Sequence, residues 1–333
     1  MHTYPTHLFQ EPQAFAAKVR RGERQALARA ITFIESTRAD HQAYASALLQ
    51  TLLPYSGKAL RIGISGAPGV GKSSLIEALG LHLLEQGQRL AILTIDPSST
   101  RSGGAILGDK TRMGKLTASP HVFIRPSSAG QAIDGVAKHT RETMLVCEAA
   151  GFDIVIVETV GVGQSQTAVA NMTDCFVLLQ LAHSGDGLQA MKKGIIELAD
   201  VIVYNKIDID RLATQQAMAQ TSQALKLFRP TSAHWQVPVL GTDALHNEGI
   251  ATLWQTVMAY KKTLTSHGEL EKKRQQQALA WLSTLIEQSL HNDFYNHAEV
   301  AKIFVAIKTQ VAHGKITAMQ GAQHLLQAWG KNI

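Results

Sequence analysis

The segment 66–74 constrains this chain more than any other stretch, because it combines clustered glycines with a lysine and two serines. It follows a short apolar run, 60–64, and precedes leucines at helical spacing, Leu75, Leu79 and Leu83. This is the G-x-x-x-x-G-K-[ST] pattern between a predicted strand and a predicted helix, a context that a chance glycine-rich turn would lack. The residues expected to contact phosphate are Gly66, Ala67, Pro68, Gly69, Val70, Gly71, Lys72, Ser73 and Ser74.

The chemistry of this loop follows from its backbone and from two of its side chains. Inward-turned N–H groups and the N-terminus of the following helix bind a phosphate. Lys72 would reach the β- and γ-phosphates, and the Ser73 hydroxyl would ligate Mg²⁺. The loop therefore predicts a nucleoside triphosphate site.

Composition narrows the class of protein. Of 333 residues, 45% are hydrophobic, enough for one large core with appendages. The net charge of +6 is dispersed and aromatic residues are 6%, which favours a solvated surface over a nucleic-acid interface. Cys147 and Cys175 lie far apart, which indicates a reducing compartment. We expect no targeting peptide in 1–13 and no membrane span, and hence a cytoplasmic protein.

Apolar runs that alternate with helical patterns predict an α/β fold with a mainly parallel sheet, covered by helices on both faces. Ligands of such sheets bind at the carboxyl ends of the strands. We expect two helices within 14–53 and only helices after about 262, so the predicted domains are an N-terminal helical extension (1–57), a P-loop domain (58–262) and a C-terminal helical region (263–333). The predicted strands are 60–65, 90–95, 122–124, 154–157, 176–181, 201–204 and 237–240.

Two acidic residues, Asp96 and Glu158, follow predicted strands near the phosphate loop, and a third, Asp109, lies between them in the sequence. Asp96 ends the second strand and could hold Mg²⁺, directly or through water, although Asp-Pro-Ser-Ser is also a common turn. Asp109 lies in the glycine-rich segment 102–110, which suits a nucleotide-sensing loop.

Glu158 begins an acid–x–x–Gly element in which the Gly161 N–H would sense the γ-phosphate. Val162 stands where many GTPases carry a water-orienting Gln, which predicts slow turnover; Gln164 is an alternative water-orienting residue.

The base is predicted by Asn205-Lys206-Ile207-Asp208, which follows the strand at 201–204. Asp208 would accept hydrogen bonds from guanine N1–H and the exocyclic amine, a donor pair that adenine lacks. Four residues recur by chance as a surface turn, so the motif gains its meaning from the phosphate loop upstream. Asp243, Ala244 and Leu245 follow the last strand, where a backbone N–H is expected to contact guanine O6.

With these motifs in place, the chain resembles the MeaB/MMAA/ArgK family of P-loop GTPases, whose sheet is wholly parallel (the SIMIBI type). The resemblance runs over nearly the whole length. It is carried by the sequences at 66–74, 96–99, 103–113, 123–126, 158–165 and 205–208. The strings at 103–113 and 158–165 are especially specific to this family.

The resemblance implies a homodimeric G-protein chaperone that gates cobalamin loading and protects an adenosylcobalamin-dependent acyl-CoA mutase, typically methylmalonyl-CoA mutase. It implies GTP/GDP and Mg²⁺ as cofactors, with Lys72, Ser73, Asp96, Asp109 and Glu158 at the phosphate and metal positions. Segments 96–113 and 158–170 match its first two switches, and the C-terminal helices match its dimerisation arm.

The resemblance also reinterprets segment 183–192. On its residues alone this segment reads as a solvent loop. It matches the family's third switch, in which Asp186 and Lys192 couple to the mutase.

The sequence departs from the family pattern at three places. Asp243 stands where the base-contact loop usually has Ser, Gly187 stands where the third switch usually has an acidic residue, and 131–134 replaces a more glycine-rich stretch.

Three other classes of protein share parts of this pattern. A nickel-type metal-delivery GTPase, the main alternative, would need a His-rich tract or paired Cys near the switches. A kinase would need catalytic signatures that are absent from the sequence. A membrane-targeting GTPase would need a basic amphipathic helix.

Overall fold

The computed structural model describes residues 11–96, 113–128, 133–159, 164–182, 193–228 and 232–330. Contacts divide the chain into two compact units, Met1–Glu271 and Lys272–Ile333. Asp109, Gly161, Asp186 and Lys192 lie outside the described residues, as do the side chains of Asp96 and Gln164.

The first unit is built on a parallel sheet, as predicted. Its described strands are β1 (Leu60–Gly66), β2 (Leu90–Asp96), β3 (Val122–Ser128), β4 (Ile154–Thr159), β5 (Cys175–Gln180), β6 (Val201–Asn205) and β7 (Val239–Thr242). They are ordered β3-β2-β4-β1-β5-β6-β7, and every pair of neighbours is parallel. The α/β P-loop fold class predicted from the sequence is confirmed.

Helices follow most of the strands. Those of the first unit are α1 (Pro12–Arg20), α2 (Arg24–Glu35), α3 (Ala39–Leu52), α4 (Lys72–Glu85), α5 (Gly114–Thr117), α6 (Ile133–Ala149), α7 (Gln164–Ala170), α8 (Lys193–Ile196), α9 (Arg211–Leu225) and α10 (Ile250–Ser266). Asp210 begins α9 by accepting a hydrogen bond from the Ala213 N–H at 2.9 Å, because the first N–H groups of a helix have no partner within it.

Alternate strand residues supply the apolar cores on the two faces of the sheet, as expected for parallel strands buried on both sides. In β4, Val155 and Val157 belong to one core, and Ile154 and Ile156 belong to the other. The first core includes the N-terminal helices, and the second includes α4 and α10.

The N-terminal segment forms three helices, not the two predicted. Gly22 has a φ of 74° and separates α1 from α2, since this backbone conformation favours glycine. Helices α2 and α3 pack against α6, and an ion pair joins Glu35 of α2 to Arg125 of β3.

The second unit is helical over its described residues. Most of the long helix α11 (Glu269–Asn296) belongs to this unit. It is followed by α12 (Ala298–Ala312) and α13 (Ala318–Ala328). A capping box of Thr317 and Gln320 begins α13. Within the described part of the chain, no helix is both long enough and apolar enough to span a bilayer.

Candidate nucleotide-binding site

A cavity of about 660 Å³ opens at the carboxyl ends of β1, β4 and β6. This is the edge at which ligands of parallel sheets bind. The residues that line it come from the phosphate loop, from Glu158 and from the two predicted base-reading segments: Pro68, Gly69, Gly71, Lys72, Ser73, Ser74, Glu158, Asn205, Lys206, Asp243, Ala244 and Leu245. Segments that are far apart in sequence therefore meet around one cavity.

The phosphate loop depends on glycine for its backbone shape. Gly69 and Gly71 have φ angles of 79° and 93°, which are left-handed conformations. At Gly71 a Cβ atom would also lie 2.4 Å from the Nδ2 of Asn205. Glycine is therefore required at position 71 both by the left-handed backbone conformation and by the Asn205 side chain opposite it.

Lys72, the first residue of α4, is buried. Its Nζ donates to the carbonyl oxygens of Gly66 at 2.8 Å and Ala67 at 3.1 Å. A buried ammonium needs such partners, because losing its hydration without replacement is costly. These contacts hold the positive charge on the phosphate loop.

Ser73 and Glu158 present hydroxyl and carboxylate oxygens at one end of the cavity. The Ser73 hydroxyl donates to Glu158 Oε1 at 3.2 Å, and Glu158 is buried at the end of β4. Oxygen ligands of this kind suit Mg²⁺, so the donor set fits the predicted ion. The backbone of Asp96 ends the neighbouring β2, which pairs with β4.

A buried polar network that the sequence analysis missed lies behind the phosphate loop. Ser65 Oγ and Thr159 Oγ1 are 2.8 Å apart, and Gln166 Nε2 donates to Ser65 Oγ at 2.9 Å. All three residues are buried. The network joins β1, β4 and α7 immediately beside Glu158, and no motif in the sequence pointed to it.

Asn205 links the phosphate loop to the loop after β7. Its Nδ2 donates to the Val70 carbonyl at 2.9 Å. Its Oδ1 accepts from the Thr242 hydroxyl at 3.1 Å and from the Ala244 N–H at 3.4 Å. Lys206, with a φ of 61°, adds a second link by donating to the Gly69 carbonyl at 2.8 Å.

Asp208 lies beside a pair of residues, Asp243 and His246, of which His246 was not predicted. One ligand atom from each of the three residues lies within 4.8 Å of the other two. Asp208 is exposed, whereas Asp243 is buried. His246 Nδ1 is 2.5 Å from Asp243 Oδ2. The sequence signal that could have indicated His246 is its position three residues after Asp243, an acidic residue in a turn.

The charges of this pair are mutually stabilised. The hydrogen bond to Asp243 raises the pKa of His246 above its ordinary value, and the negative charge of Asp243 adds to that effect. Burial opposes ionisation of Asp243, but hydrogen bonds from the His246 side chain and from the N–H groups of His246 and Leu245, together with the charge of His246, outweigh it and lower the pKa of the Asp243 carboxyl. The ionised pair is therefore favoured.

The parallel sheet, with this phosphate loop at its carboxyl edge, defines an α/β P-loop GTPase fold. The family model described as "Methylmalonyl Co-A mutase-associated GTPase MeaB" matches residues 27–299. The chain belongs to this family and is a GTPase that binds guanine nucleotide.

Curated relatives extend this comparison over most of the chain. A "Probable GTPase" of Mycobacterium tuberculosis is 48% identical, covering 94% of this chain and 93% of its own. "GTPase ArgK" of Escherichia coli is 42% identical, covering 92% and 93%. The mouse "Methylmalonic aciduria type A homolog, mitochondrial" is 41% identical, covering 93% of this chain and 77% of its own.

Among solved structures, a crystal structure of an "LAO/AO transport system kinase" superposes with a TM-score of 0.79. It is 35% identical and covers 97% of this chain and 100% of its own. The fold and the family assignment therefore agree.

Proposed function

We propose that this chain is a slow, Mg²⁺-dependent GTPase switch that gates cobalamin loading and protects an adenosylcobalamin-dependent methylmalonyl-CoA mutase. The observation that carries the proposal is the match over residues 27–299 to a family described as mutase-associated. The name of the mouse relative, which refers to methylmalonic aciduria, supports the same metabolic connection.

In this proposal the phosphates bind at the segment 66–74, where Lys72 supplies positive charge and the backbone supplies N–H donors. Ser73, Asp96, Asp109 and Glu158 hold Mg²⁺, which would neutralise charge on the β- and γ-phosphates. The 3.2 Å contact between Ser73 and Glu158 supports this assignment, since both oxygens then face one ion position.

Guanine binds at the opposite end of the cavity. Asp208 accepts from the base, and Ala244 and Leu245 line the cavity. Asn205 and Lys206 support this assignment, because they hydrogen-bond to the phosphate loop and so tie the two halves of the cavity together.

The slow rate and its control by a partner follow from the second and third switches. Gly161 is followed by Val162, whose apolar side chain cannot orient a water by hydrogen bonding. A partner that contacts Asp186 and Lys192 would then accelerate turnover by changing the conformation of the switch segments.

We also propose that the chain is a homodimer formed through the C-terminal helices. On α11, Leu279, Leu282, Ile286 and Leu290 are about half or more exposed, from 48% to 65%. Their spacing of three and four residues places them along one side of the helix. An exposed apolar row of this kind is typical of a helix that pairs with another helix.

The mutase assignment is tested by measuring GTP turnover with and without purified adenosylcobalamin-dependent methylmalonyl-CoA mutase. We expect the mutase to raise the rate of the wild-type protein, and Lys192→Ala to reduce that stimulation with little change in basal rate. Lys226→Ala, which removes an exposed lysine at the end of α9, is the matched control. An unchanged rate, with no co-elution in the presence of a non-hydrolysable GTP analogue, would rule out this partner.

The metal-delivery alternative gains no support from the described residues. Cys147 and Cys175 are both buried, and burial raises the pKa of the Cys147 thiol. In the ranges that the structure covers, the candidate metal cluster contains two carboxylates and one histidine. Soft or imidazole-rich sites of the kind that favour nickel are not found there.

A further inference from the structure

The carboxylate of Asp243 organises the loop that closes the base end of the cavity. Its Oδ1 accepts from the Leu245 N–H at 3.0 Å and the His246 N–H at 3.3 Å. Its Oδ2 pairs with the His246 imidazole. Asp243 is 2% exposed, so these donors replace water around a buried charge.

The backbone of the same loop is closed by a two-bond bridge. The Asp243 N–H donates to the Glu248 carbonyl at 3.0 Å, and the Glu248 N–H donates to the Asp243 carbonyl at 2.9 Å. Gly249, with a φ of 75°, then leads into α10. The Asp243 side chain thus fixes the part of the loop, Ala244 and Leu245, that lines the cavity.

Asp208 brings a second carboxylate to this place. Its ligand atom lies within 4.8 Å of those of Asp243 and His246. Two carboxylates at such a distance repel each other unless a cation lies near both. Glu248 is also close enough to act on His246, but it is paired with Arg211 at 2.7 Å. The His246 imidazolium is therefore placed to balance Asp208 and Asp243.

We infer that Asp243 and His246 are positioning residues for guanine recognition, an inference that rests on the proposed base-reading role of Asp208. Asp243 holds the backbone of Ala244 and Leu245 in the shape that meets the base. His246 offsets the charge of Asp243, so that the Asp208 carboxylate is not repelled by Asp243 and stays directed toward the N1–H and exocyclic amine of guanine.

The test is to measure dissociation constants for GTP, ITP, GDP and GMP by displacement of a fluorescent GDP analogue. ITP lacks only the exocyclic amine, so the preference for GTP over ITP reports on Asp208. The ratio of GMP to GDP dissociation constants reports on the phosphate loop. We expect His246→Ala and Asp243→Ala each to reduce the GTP-over-ITP preference about tenfold, because either variant breaks the His246–Asp243 pair and so displaces Asp208 from its charged hydrogen bond to the exocyclic amine. The GDP-over-GMP preference should not change.

Two variants separate positioning from general damage to the fold. Asp243→Asn keeps an oxygen that can accept from Leu245 and His246, so we expect it to restore the GTP-over-ITP preference to within about threefold of wild type. His234→Ala is the matched control, because His234 pairs with Glu269 at 2.6 Å and does not line the cavity. It should leave both preferences unchanged.

A spectroscopic readout accompanies these measurements. The imidazole resonances of His246 should titrate above the ordinary histidine pKa in the wild-type protein, and closer to it in Asp243→Asn. The inference is overturned if His246→Ala keeps the wild-type GTP-over-ITP preference, or if Asp243→Asn loses as much as Asp243→Ala. A wild-type protein without any preference for guanine would instead overturn the role of Asp208 and the proposed function.

Discussion

At the scale of single residues, the base-reading motif contains residues that support the protein structure and a different residue that is expected to bind the base. The side chains of Asn205 and Lys206 donate hydrogen bonds to the carbonyls of Val70 and Gly69. Asp208 is exposed, and its carboxylate lies within 4.8 Å of that of Asp243, which lines the cavity. The specificity of the site should therefore be changed most cleanly at Asp208.

We predict that Asp208→Asn shifts the preference of the protein from guanine toward xanthine nucleotides. Asparagine offers an N–H₂ donor where xanthine presents a carbonyl at C2, whereas guanine presents an amine there. The ratio of XTP to GTP affinity should rise by tenfold or more, as about 1.4 kcal/mol per exchanged hydrogen bond implies. Equilibrium binding of both nucleotides checks this, with Glu248→Gln as a control that alters charge on the neighbouring loop. Retained selectivity for GTP would contradict the assignment.

Much of the cavity could be predicted from local patterns, because phosphate loops and base-reading motifs are short contiguous segments. The phosphate loop, Glu158 and Asn205 were expected at strand ends, and the structure places them around one cavity. Ser65, Gln166 and His246 were missed, because their contacts join parts of the chain that only the fold brings together or, for His246, depend on a turn. Their side chains carry no pattern of their own.

At the scale of elements, one buried ion pair joins α6 to β1. Glu148 accepts from Arg61 Nε at 2.6 Å and also from the Gly57 N–H. The Glu148 side chain is completely buried, and that of Arg61 is 15% exposed. The pair anchors the helix to the strand that leads into the phosphate loop.

We predict that Glu148→Ala lowers the free energy of unfolding by about 3 kcal/mol or more, since it leaves the Arg61 charge buried without its carboxylate. Glu148→Gln keeps the shape and the acceptor oxygen and should cost less. Urea unfolding followed by circular dichroism measures both variants. Equal stability of Glu148→Ala and wild type would show that Arg61 finds another partner. Glu23→Ala, which breaks the exposed pair with Arg21, is a control expected to change little.

The strands whose bounds were predicted least well are β3 and β7, because these bounds depend on pairing with neighbouring strands. Strand β3 extends to Ser128, beyond the predicted 122–124, and includes Pro126. Among the described strands it lies at the edge of the sheet and pairs with β2 alone, where a proline is tolerated. Strand β7 lies two residues later than predicted, at Val239–Thr242. Its register is fixed by pairing with β6, which apolar composition does not reveal.

At the scale of the whole molecule, the residues of the cavity all belong to the first unit, Met1–Glu271. Leu270, the last apolar residue of that unit, is 9% exposed and belongs to its core. The exposed leucines and isoleucine of α11 all belong to the second unit. Nucleotide binding and the proposed self-association therefore reside in different units.

We predict that a chain ending after Glu271 binds GDP within about twofold of the full-length affinity, because the pocket and its supporting core are retained. The same chain should be a monomer when the full-length protein is a dimer. Calorimetric titration and light scattering test the two statements separately. A truncated chain that stays dimeric would move the interface into the first unit, and lost GDP binding would show that the second unit supports the pocket.

The contact between Gly71 and Asn205 has a consequence for how such a sequence can vary. A Cβ at Gly71 would collide with the Asn205 amide, and the same amide holds the carbonyl of Val70, 135 residues away in sequence. A substitution at either position alters what the other can tolerate, so the two are epistatic. New base preferences are therefore more accessible through Asp208, whose side chain leaves the phosphate loop untouched.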